Sequence, residues 1–198
     1  MKTIEQELKL QLTKTQYLQI VSKAKDASCK LQFNHYFYYD GMAADKMLRI
    51  RHVGDNFELT YKFRKSNANG VMVAEEYNAR VDKAFLEQSV KCGIDQATIL
   101  ELLHVQMSQP MYYIGCLATI RSTFDMCGCT VELDANEYLG VVDFELECED
   151  ASLDNLATLR AHLEGQFGAL PNAVAKVQRF VTKLASMPMP CNGESNDN

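Results

Sequence analysis

Charged residues alternate with apolar residues along most candidate strands of this chain, and this pattern limits the folds that it can adopt. Near the N-terminus, Glu5, Glu7 and Lys9 alternate with apolar residues that include Leu8 and Leu10. Successive residues of a strand point to opposite faces, so these three charges share one face. The same alternation recurs at Arg49 and Arg51, at Glu58, Thr60, Lys62 and Arg64, at Thr119 and Arg121, at Glu132 and Asp134, and at Asp143, Glu145, Glu147 and Glu149. The pattern predicts a sheet with one apolar face and one charged face.

The sign of the charge is sorted by strand. The first and last candidate strands supply mainly carboxylates, whereas the strands between them supply Arg49, Arg51, Lys62 and Arg121. Arginine suits bidentate contact with phosphate. If these charges face inward, they are too costly to leave without ligands, and a polyphosphate with divalent metal ions would satisfy both signs. A half-buried sheet with a solvated polar face explains any single strand equally well.

Eight strands and a set of inserted helices are predicted. The strands are Ile4–Leu12, Gln32–Tyr39, Met47–Val53, Phe57–Arg64, Val71–Val81, Met111–Phe124, Thr130–Asp134 and Val141–Glu149. The helices begin near Thr13, Asp82, Asp95, Ser152 and Asn172. We therefore expect an α+β fold, an eight-stranded, mostly antiparallel, closed β-barrel that forms a tunnel, with helices packed outside and at the C-terminus.

Two further expectations concern segments without regular structure. Ala135–Gly140 is predicted to be the turn before the last strand. Residues 1–186 are predicted to form one domain, and residues 187–198, with two prolines and a glycine, to form a disordered tail.

Composition and motifs exclude several classes of protein. The net charge of -6 argues against duplex nucleic acid as a partner. No apolar run approaches the roughly 18 residues of a membrane span, and the charged N-terminus is unlike a signal peptide, so we expect a cytoplasmic protein. The seven cysteines include no CxxC pair, which favours reduced thiols over a zinc site. The glycine-rich nucleotide motifs GxxxxGK[ST] and GxGxxG are also missing.

An ordered series of short motifs resembles the CYTH family of triphosphate tunnel enzymes over about residues 4–184. The series comprises Glu5-x-Glu7-x-Lys9, Asn34-His35-Tyr36-Phe37, Leu48-Arg49-Ile50-Arg51, Leu59-Thr60-Tyr61-Lys62, Glu76-Tyr77-Asn78, Thr119-Ile120-Arg121, Leu133-Asp134, Tyr138-Leu139-Gly140, Asp143-Phe144-Glu145-Leu146-Glu147 and Lys176-Val177-Gln178-Arg179-Phe180. The chain looks most similar to small bacterial members described as triphosphatases or adenylate cyclases. Relatives often carry an aspartate after the Tyr-Phe pair, where this chain has Tyr38. No role is therefore assigned to Asp40. The close pair Cys127 and Cys129 also receives no role from the sequence.

The resemblance implies a tunnel in which basic residues hold phosphate oxygens and carboxylates hold Mg²⁺ or Mn²⁺. The basic residues that hold phosphate would be Lys9, Arg49, Arg51, Lys62 and Arg121. Glu76 would support either the metal ion or a basic residue. Lys176 and Arg179 would either close one end of the tunnel or lie in solvent. The metal ligands, which are also the candidate catalytic residues, would be Glu5, Glu7, Glu145 and Glu147, with Asp134 and Glu132 as further candidates. Asp143 and Glu149 lie toward strand ends and are expected at the surface.

These roles predict a metal-dependent hydrolase that converts a small triphosphate, inorganic or organic, into orthophosphate and a diphosphate. Three alternatives remain open at this point. The first is an adenylate cyclase that makes cyclic AMP from ATP, and the second is a non-catalytic module that binds a polyphosphate or a nucleotide. The third is a plain structural domain. The expected partner is a small triphosphate, and the chain could act as a monomer or a homodimer.

Overall fold

The computed structural model describes residues 2–68, 71–149 and 152–188. Within these ranges the chain forms eight strands and five helices. The strands are β1 (Lys2–Leu12), β2 (Ser28–Tyr38), β3 (Lys46–Val53), β4 (Asn56–Ala68), β5 (Val71–Val81), β6 (Tyr112–Met126), β7 (Cys129–Tyr138) and β8 (Val141–Glu149). The helices are α1 (Lys14–Val21), α2 (Lys83–Cys92), α3 (Gln96–Leu103), α4 (Leu153–Phe167) and α5 (Lys176–Ala185). The predicted tail falls mostly on residues 189–198, which lie outside the described residues.

The eight strands close into one antiparallel barrel in the order β1-β5-β4-β3-β2-β6-β7-β8. Strand β1 completes the closure, because it pairs with β5 on one side and with β8 on the other. Its register with β8 places Lys9 opposite Glu147 and Glu7 opposite Glu149. The predicted closed α+β barrel is therefore confirmed, and the charges of the first and last strands become neighbours.

Apolar side chains on the outside of the barrel form the core with the helices. Leu156, Leu159 and Leu163 of α4 belong to the same buried cluster as Leu8 and Leu10 of β1. A second cluster joins β2, β3 and β4 to α2 and α3. Burial of each large aliphatic side chain contributes about 1.5–3 kcal/mol. Because these outer faces are apolar, the alternating charged faces point into the barrel.

Helix α5 packs at the barrel through Phe180. This side chain is fully buried in a cluster that includes Tyr36, Leu117 and Tyr138. Gly115 of β6 makes room for it, because an added Cβ at this glycine, whose φ is +140°, would lie 2.6 Å from Phe180 Cζ. The chain before α5 is also bonded to β1, since the Gln11 amide donates to the Pro171 carbonyl at 2.9 Å. Helix α5 is therefore held from two sides.

Several predicted boundaries are wrong. Strand β2 begins at Ser28 instead of Gln32, and β4 continues past Arg64 to Ala68. The segment Ala135–Gly140 is not a turn as a whole, because β7 continues to Tyr138 and leaves Leu139 and Gly140 as the turn. Asn136, a residue depleted in strands, is accommodated because its amide donates to Glu145 and its oxygen accepts from Thr119 inside the barrel. Helix α5 begins at Lys176 instead of near Asn172, because Asn172 forms a β-bridge with Leu10.

Candidate active site

The barrel encloses a cavity of about 300 Å³ with a predominantly charged lining. Seven strands, the turn residue Asp45 and the start of α5 contribute its charged side chains. The predicted site residues that line it are Glu5, Glu7, Lys9, Arg49, Arg51, Lys62, Glu76, Arg121, Glu132, Glu147 and Lys176. Asp134, Glu145 and Arg179 are not part of this lining. Asp40 lies in an exposed turn outside it.

The β3 side of the cavity carries two arginines that lack carboxylate partners. Neither Arg49 nor Arg51 forms a salt bridge with any carboxylate in the described part of the chain. The Nε atom of Arg49 is buried without a hydrogen-bond partner, and Arg51 Nε donates to the Asn34 side-chain oxygen at 3.1 Å. Burial, followed by repulsion from Arg49 and Arg121, lowers the pKa of Arg51 to about 10. This wall, which we call the arginine wall, has positive charge that an anion could neutralise.

The opposite side holds Glu5 and Glu7 from β1, facing Lys62 of β4. Lys62 Nζ lies 2.9 Å from Glu5 Oε2 and 2.9 Å from Glu76 Oε1. Lys9 Nζ lies 3.2 Å from Glu7 Oε1. The other oxygen of Glu7 is buried without a hydrogen-bond partner, and its ion-pair contact with Lys62 is 3.8 Å long. Glu7 therefore presents an oxygen with unused acceptor capacity.

Glu147 of β8 is the most heavily paired carboxylate of the cavity. Lys9 Nζ lies 2.5 Å and Lys176 Nζ 2.6 Å from its Oε1 atom, and Arg121 donates to its Oε2 atom at 2.6 Å. Burial alone would raise the pKa of Glu147, but the nearby charges of Lys176, Lys9 and Arg121 hold it well below its usual range. Arg121 also contacts Glu132 and Asp134 of β7.

Behind this layer, Asp134 and Glu145 are fully buried. Lys176 contacts both carboxylates, and its Nζ atom lies 2.8 Å from Asp134 Oδ2. Arg179 donates to Glu145 at 2.8 Å and contacts Asp143 at 3.0 Å. Arg179 thus faces the carboxylates from beyond the cavity, next to Tyr138 and Gln11. We call β1, β7 and β8 with their paired carboxylates the carboxylate wall.

Of the two residues expected at the surface, Asp143 is not there and Glu149 is. Asp143 is largely buried, accepts hydrogen bonds from Tyr138 and Asn136, and pairs with Arg179, so the surface expectation is wrong for it. Glu149 is exposed but lines the cavity mouth. Limited hydration there, together with the carboxylates of Glu5 and Glu7, raises the pKa of Glu149 to about 7.

Sequence reasoning also assigned no site role to Arg64, Glu58, Asn78 and Tyr36, which line the cavity. A signal was available for Arg64 and Glu58, because both share the strand face of Lys62. Glu149 carried the same signal, since it alternates with Glu147. The cavity position of Tyr36 had no such signal, because an aromatic residue in a strand is normally assigned to the apolar core.

The carboxylates fit a hard divalent cation. Mg²⁺ and Mn²⁺ prefer oxygen ligands, and Glu5, Glu7 and Glu149 line the cavity from the adjacent strands β1 and β8, with Glu7 opposite Glu149. The unpartnered oxygen of Glu7 is the observation that favours this position. Asp134, Glu145 and Glu147 also present oxygens within 4.8 Å of one another, but the ammonium group of Lys176 contacts all three.

The fold and the site define a class of protein, a closed antiparallel barrel with a charged internal cavity suited to an anion and a divalent cation. The sequence matches the CYTH domain family over residues 3–181, and the chain belongs to that family. Among curated proteins, none is similar enough in sequence to count as a match.

Solved structures share the same fold. A Bacillus halodurans protein, provisionally named an adenylate cyclase, is 26% identical, with a TM-score of 0.72 over 90% of this chain and 98% of that chain. A Hippeastrum protein, provisionally named an adenylyl cyclase and described as having a dominant triphosphatase activity, is 19% identical, with a TM-score of 0.73 over 90% and 95% of the two chains. A Pyrococcus horikoshii protein is 17% identical, with a TM-score of 0.57 over 90% and 97%. In the parts of the chain that the structure describes, no helix is long and apolar enough to cross a bilayer.

Proposed function

We propose that this protein hydrolyses a triphosphate, with the help of a divalent metal ion, to orthophosphate and a diphosphate. The observation that carries the proposal is the pair Arg49 and Arg51, two arginines that form no salt bridge within the described part of the chain, in a cavity that also holds clustered carboxylates. Buried charge without a partner is costly, so such a pair is expected where a ligand supplies the opposite charge. Membership of the CYTH family supports a phosphate chain as that ligand.

The arginine wall would bind the phosphate oxygens. Arg49 and Arg51 can each present two donors to phosphate, and Arg121, Lys9 and Lys62 lie in the same cavity. Glu76 would hold Lys62 in position through their contact of 2.9 Å. Phosphoryl transfer is achieved mainly by positioning and by neutralising charge on the transferred group, and both tasks suit a rigid barrel.

The carboxylate wall would hold the metal ion and accept the proton. Glu5, Glu7 and Glu147 are the ligands we favour in the cavity, with Glu132 at its edge. A bound Mg²⁺ or Mn²⁺ would neutralise phosphate charge and lower the pKa of a water molecule. Attack of the water oxygen on the terminal phosphorus would form a P–O bond as the phosphoanhydride bond breaks, and a cavity carboxylate would take the water proton.

The cavity favours a short phosphate chain over a nucleotide. Its volume is at the lower end of the roughly 300–1,000 Å³ typical of small-molecule sites. Among the described residues of its lining, the aromatic ring is that of Tyr36, which is only 1% exposed and therefore offers no stacking surface for a base. These two features support inorganic tripolyphosphate as the first substrate to test.

Adenylate cyclase activity is the second candidate, because the Bacillus halodurans protein of similar structure carries that name. In that reaction the 3′-hydroxyl of ATP attacks the α-phosphate and pyrophosphate leaves. A product assay separates the candidates. The protein is incubated with Mg²⁺ or Mn²⁺ and with tripolyphosphate, thiamine triphosphate, ATP or pyrophosphate, and orthophosphate, pyrophosphate and cyclic AMP are measured. Orthophosphate from triphosphates alone supports the hydrolase, cyclic AMP with pyrophosphate supports the cyclase, and neither product with any substrate contradicts both.

A further inference from the structure

Asn34 of β2 is bonded to Arg51 of the arginine wall. The register of β2 places Asn34 opposite Arg51 on β3 and opposite Leu117 on β6. Arg51 Nε donates to Asn34 Oδ1 at 3.1 Å. Asn34 is fully buried, and its strand is paired on both sides, so this acceptor has a fixed position.

The amide nitrogen of Asn34 is buried and has no hydrogen-bond partner. A rotated amide would turn its N–H donors toward the Nε–H donor of Arg51 and would lose the bond, so Arg51 determines the orientation of the amide. A buried donor without a partner costs free energy, and such groups are rare in folded proteins. An apolar side chain at this position would avoid that cost. The amide therefore has a purpose other than stability.

Glu58 of β4 is a competing partner for Arg51. It lies directly opposite Arg51 in the register of β3 and β4, and it also lines the cavity. Opposite charges at such cross-strand positions normally attract each other. In the described part of the chain, however, neither residue forms a salt bridge. We propose that Asn34 is a positioning residue for Arg51, whose neutral amide oxygen holds the guanidinium group away from Glu58 and leaves its positive charge for a phosphate ligand.

The neutral acceptor distinguishes Arg51 from Arg121. Arg121 is also held by neighbouring strands, but its partners are the carboxylates of Glu132, Asp134 and Glu147, which balance its charge. An amide oxygen accepts a hydrogen bond without supplying a countercharge. Because the bond to Asn34 uses only the Nε–H group of Arg51, the four N–H donors on its two Nη atoms are left for phosphate oxygens.

This inference rests on the proposed function where it concerns phosphate affinity, and Asn34→Ala tests it. Calorimetric titration with a non-hydrolysable tripolyphosphate analogue should show binding weakened by about 5–20-fold. In a protein that also carries Arg51→Ala, the change at Asn34 should alter the affinity by less than about twofold, because Asn34 acts through Arg51. Asn56→Ala, which removes an exposed hydrogen bond from Arg80, should bind the analogue as the wild-type protein does. Wild-type affinity in folded N34A, or an equal loss in both backgrounds, would overturn the proposal.

A ligand-free crystal structure of N34A distinguishes this proposal from the proposed function. The guanidinium group of Arg51 should move into salt-bridge contact with Glu58. An unmoved guanidinium group would overturn the positioning role and leave phosphate binding by the arginine wall intact. A wild-type protein that does not bind the analogue, combined with a moved Arg51 in N34A, would support the positioning role and contradict the proposed ligand.

Asn34→Asp covers the possibility that N34A does not fold. The carboxylate can accept the same hydrogen bond, so Arg51 should stay in place, but its positive charge is then balanced. Binding of the analogue should weaken by at least about tenfold. Wild-type affinity in N34D would overturn the proposal, because a charged acceptor would then serve as well as a neutral one. Failure of N34D to fold would also contradict it, since the carboxylate should relieve the unbalanced charge of Arg51.

Discussion

The arginine wall and the carboxylate wall face the same cavity but differ in how their charges are balanced. Arg49 and Arg51 have no carboxylate in salt-bridge contact among the described residues, whereas Glu147 is paired with three cations. A buried charge without an ion-pair partner destabilises a folded protein unless a ligand neutralises it. In a cluster of ion pairs, removal of one charged residue is destabilising because it leaves its partner buried and unpaired. We therefore expect the arginine wall to contribute mainly to ligand affinity. In the carboxylate wall, the heavily paired carboxylates should contribute to the stability of the barrel, and Glu7 should contribute to metal binding.

Glu7 should give the largest effect, because it is the carboxylate of the carboxylate wall with an unpaired oxygen. Glu7→Gln should lower the rate of tripolyphosphate hydrolysis by at least roughly 100-fold, since a metal ligand is lost while the shape of the side chain is kept. Orthophosphate release under saturating Mg²⁺ measures the change. Glu87→Gln, at an exposed glutamate of α2, is the matched control. A rate for E7Q within threefold of the wild-type value would contradict the assignment.

Glu145 should affect stability more than chemistry. Glu145→Gln removes a charge that contacts Lys176 and Arg179, and the variant should lose about 2 kcal/mol of unfolding free energy because both cations keep only their other partners. Urea denaturation without metal measures this loss. If stability were unchanged while hydrolysis disappeared, Glu145 would belong to the catalytic carboxylates, as the sequence resemblance implies.

Substitution of Arg51 should affect ligand binding more than stability, which is the opposite of the effect expected for Glu145. Arg51→Ala should weaken binding of a non-hydrolysable tripolyphosphate analogue by about 10–100-fold, because charge-assisted contacts to phosphate are lost. Its unfolding free energy should stay the same or rise, since a buried cation without a carboxylate partner is removed. Calorimetric titration and urea denaturation measure the two quantities. Arg80→Ala, at an exposed arginine of β5, is the control. Strong destabilisation of R51A with unchanged analogue binding would contradict the prediction that the arginine wall serves ligand binding more than stability.

The effect confined to the narrowest range of conditions is a dependence of stability on acid pH at Glu76. Burial alone would raise its pKa, but Arg49 and Lys62 lower the pKa of Glu76 to about 2 in the folded protein. A carboxyl group with a lowered folded-state pKa contributes stability above its unfolded pKa, and this contribution is lost as the pH falls toward 2. Between about pH 4.5 and 2, the wild-type protein should therefore lose roughly 1–3 kcal/mol more than Glu76→Gln. Parallel acid denaturation curves for the two proteins would contradict the lowered pKa.

Much of this architecture could be predicted from the sequence, because strand alternation is a local signal. The alternation of Leu48, Arg49, Ile50 and Arg51 predicts which side chains face inward, and the closed barrel confirms that the charges face a cavity. Boundaries were less predictable where interior contacts override local propensity. Asn136 reads as a turn residue, but hydrogen bonds to Thr119 and Glu145 keep it in β7.

The different environments of the individual carboxylates could not be predicted from the sequence. Glu145 and Glu147 occupy the same face of β8, and the sequence gives them equal status. Lys176 of α5, 29 residues after Glu147, contacts both carboxylates, but Glu145 also pairs with Arg179, whereas Glu147 also pairs with Lys9 and Arg121. A contact between residues so far apart in the chain depends on the packing of Phe180 against Gly115, which strand periodicity does not report.

The most direct test of the contrast between the two walls is a crystal structure with Mn²⁺ and a non-hydrolysable tripolyphosphate analogue. We expect phosphate oxygens within hydrogen-bond distance of Arg49 and Arg51 and an anomalous Mn²⁺ signal bounded by Glu5 and Glu7. Lys176 should remain against Asp134 and Glu145. An analogue bound outside the barrel, with both arginines facing empty solvent, would contradict this arrangement.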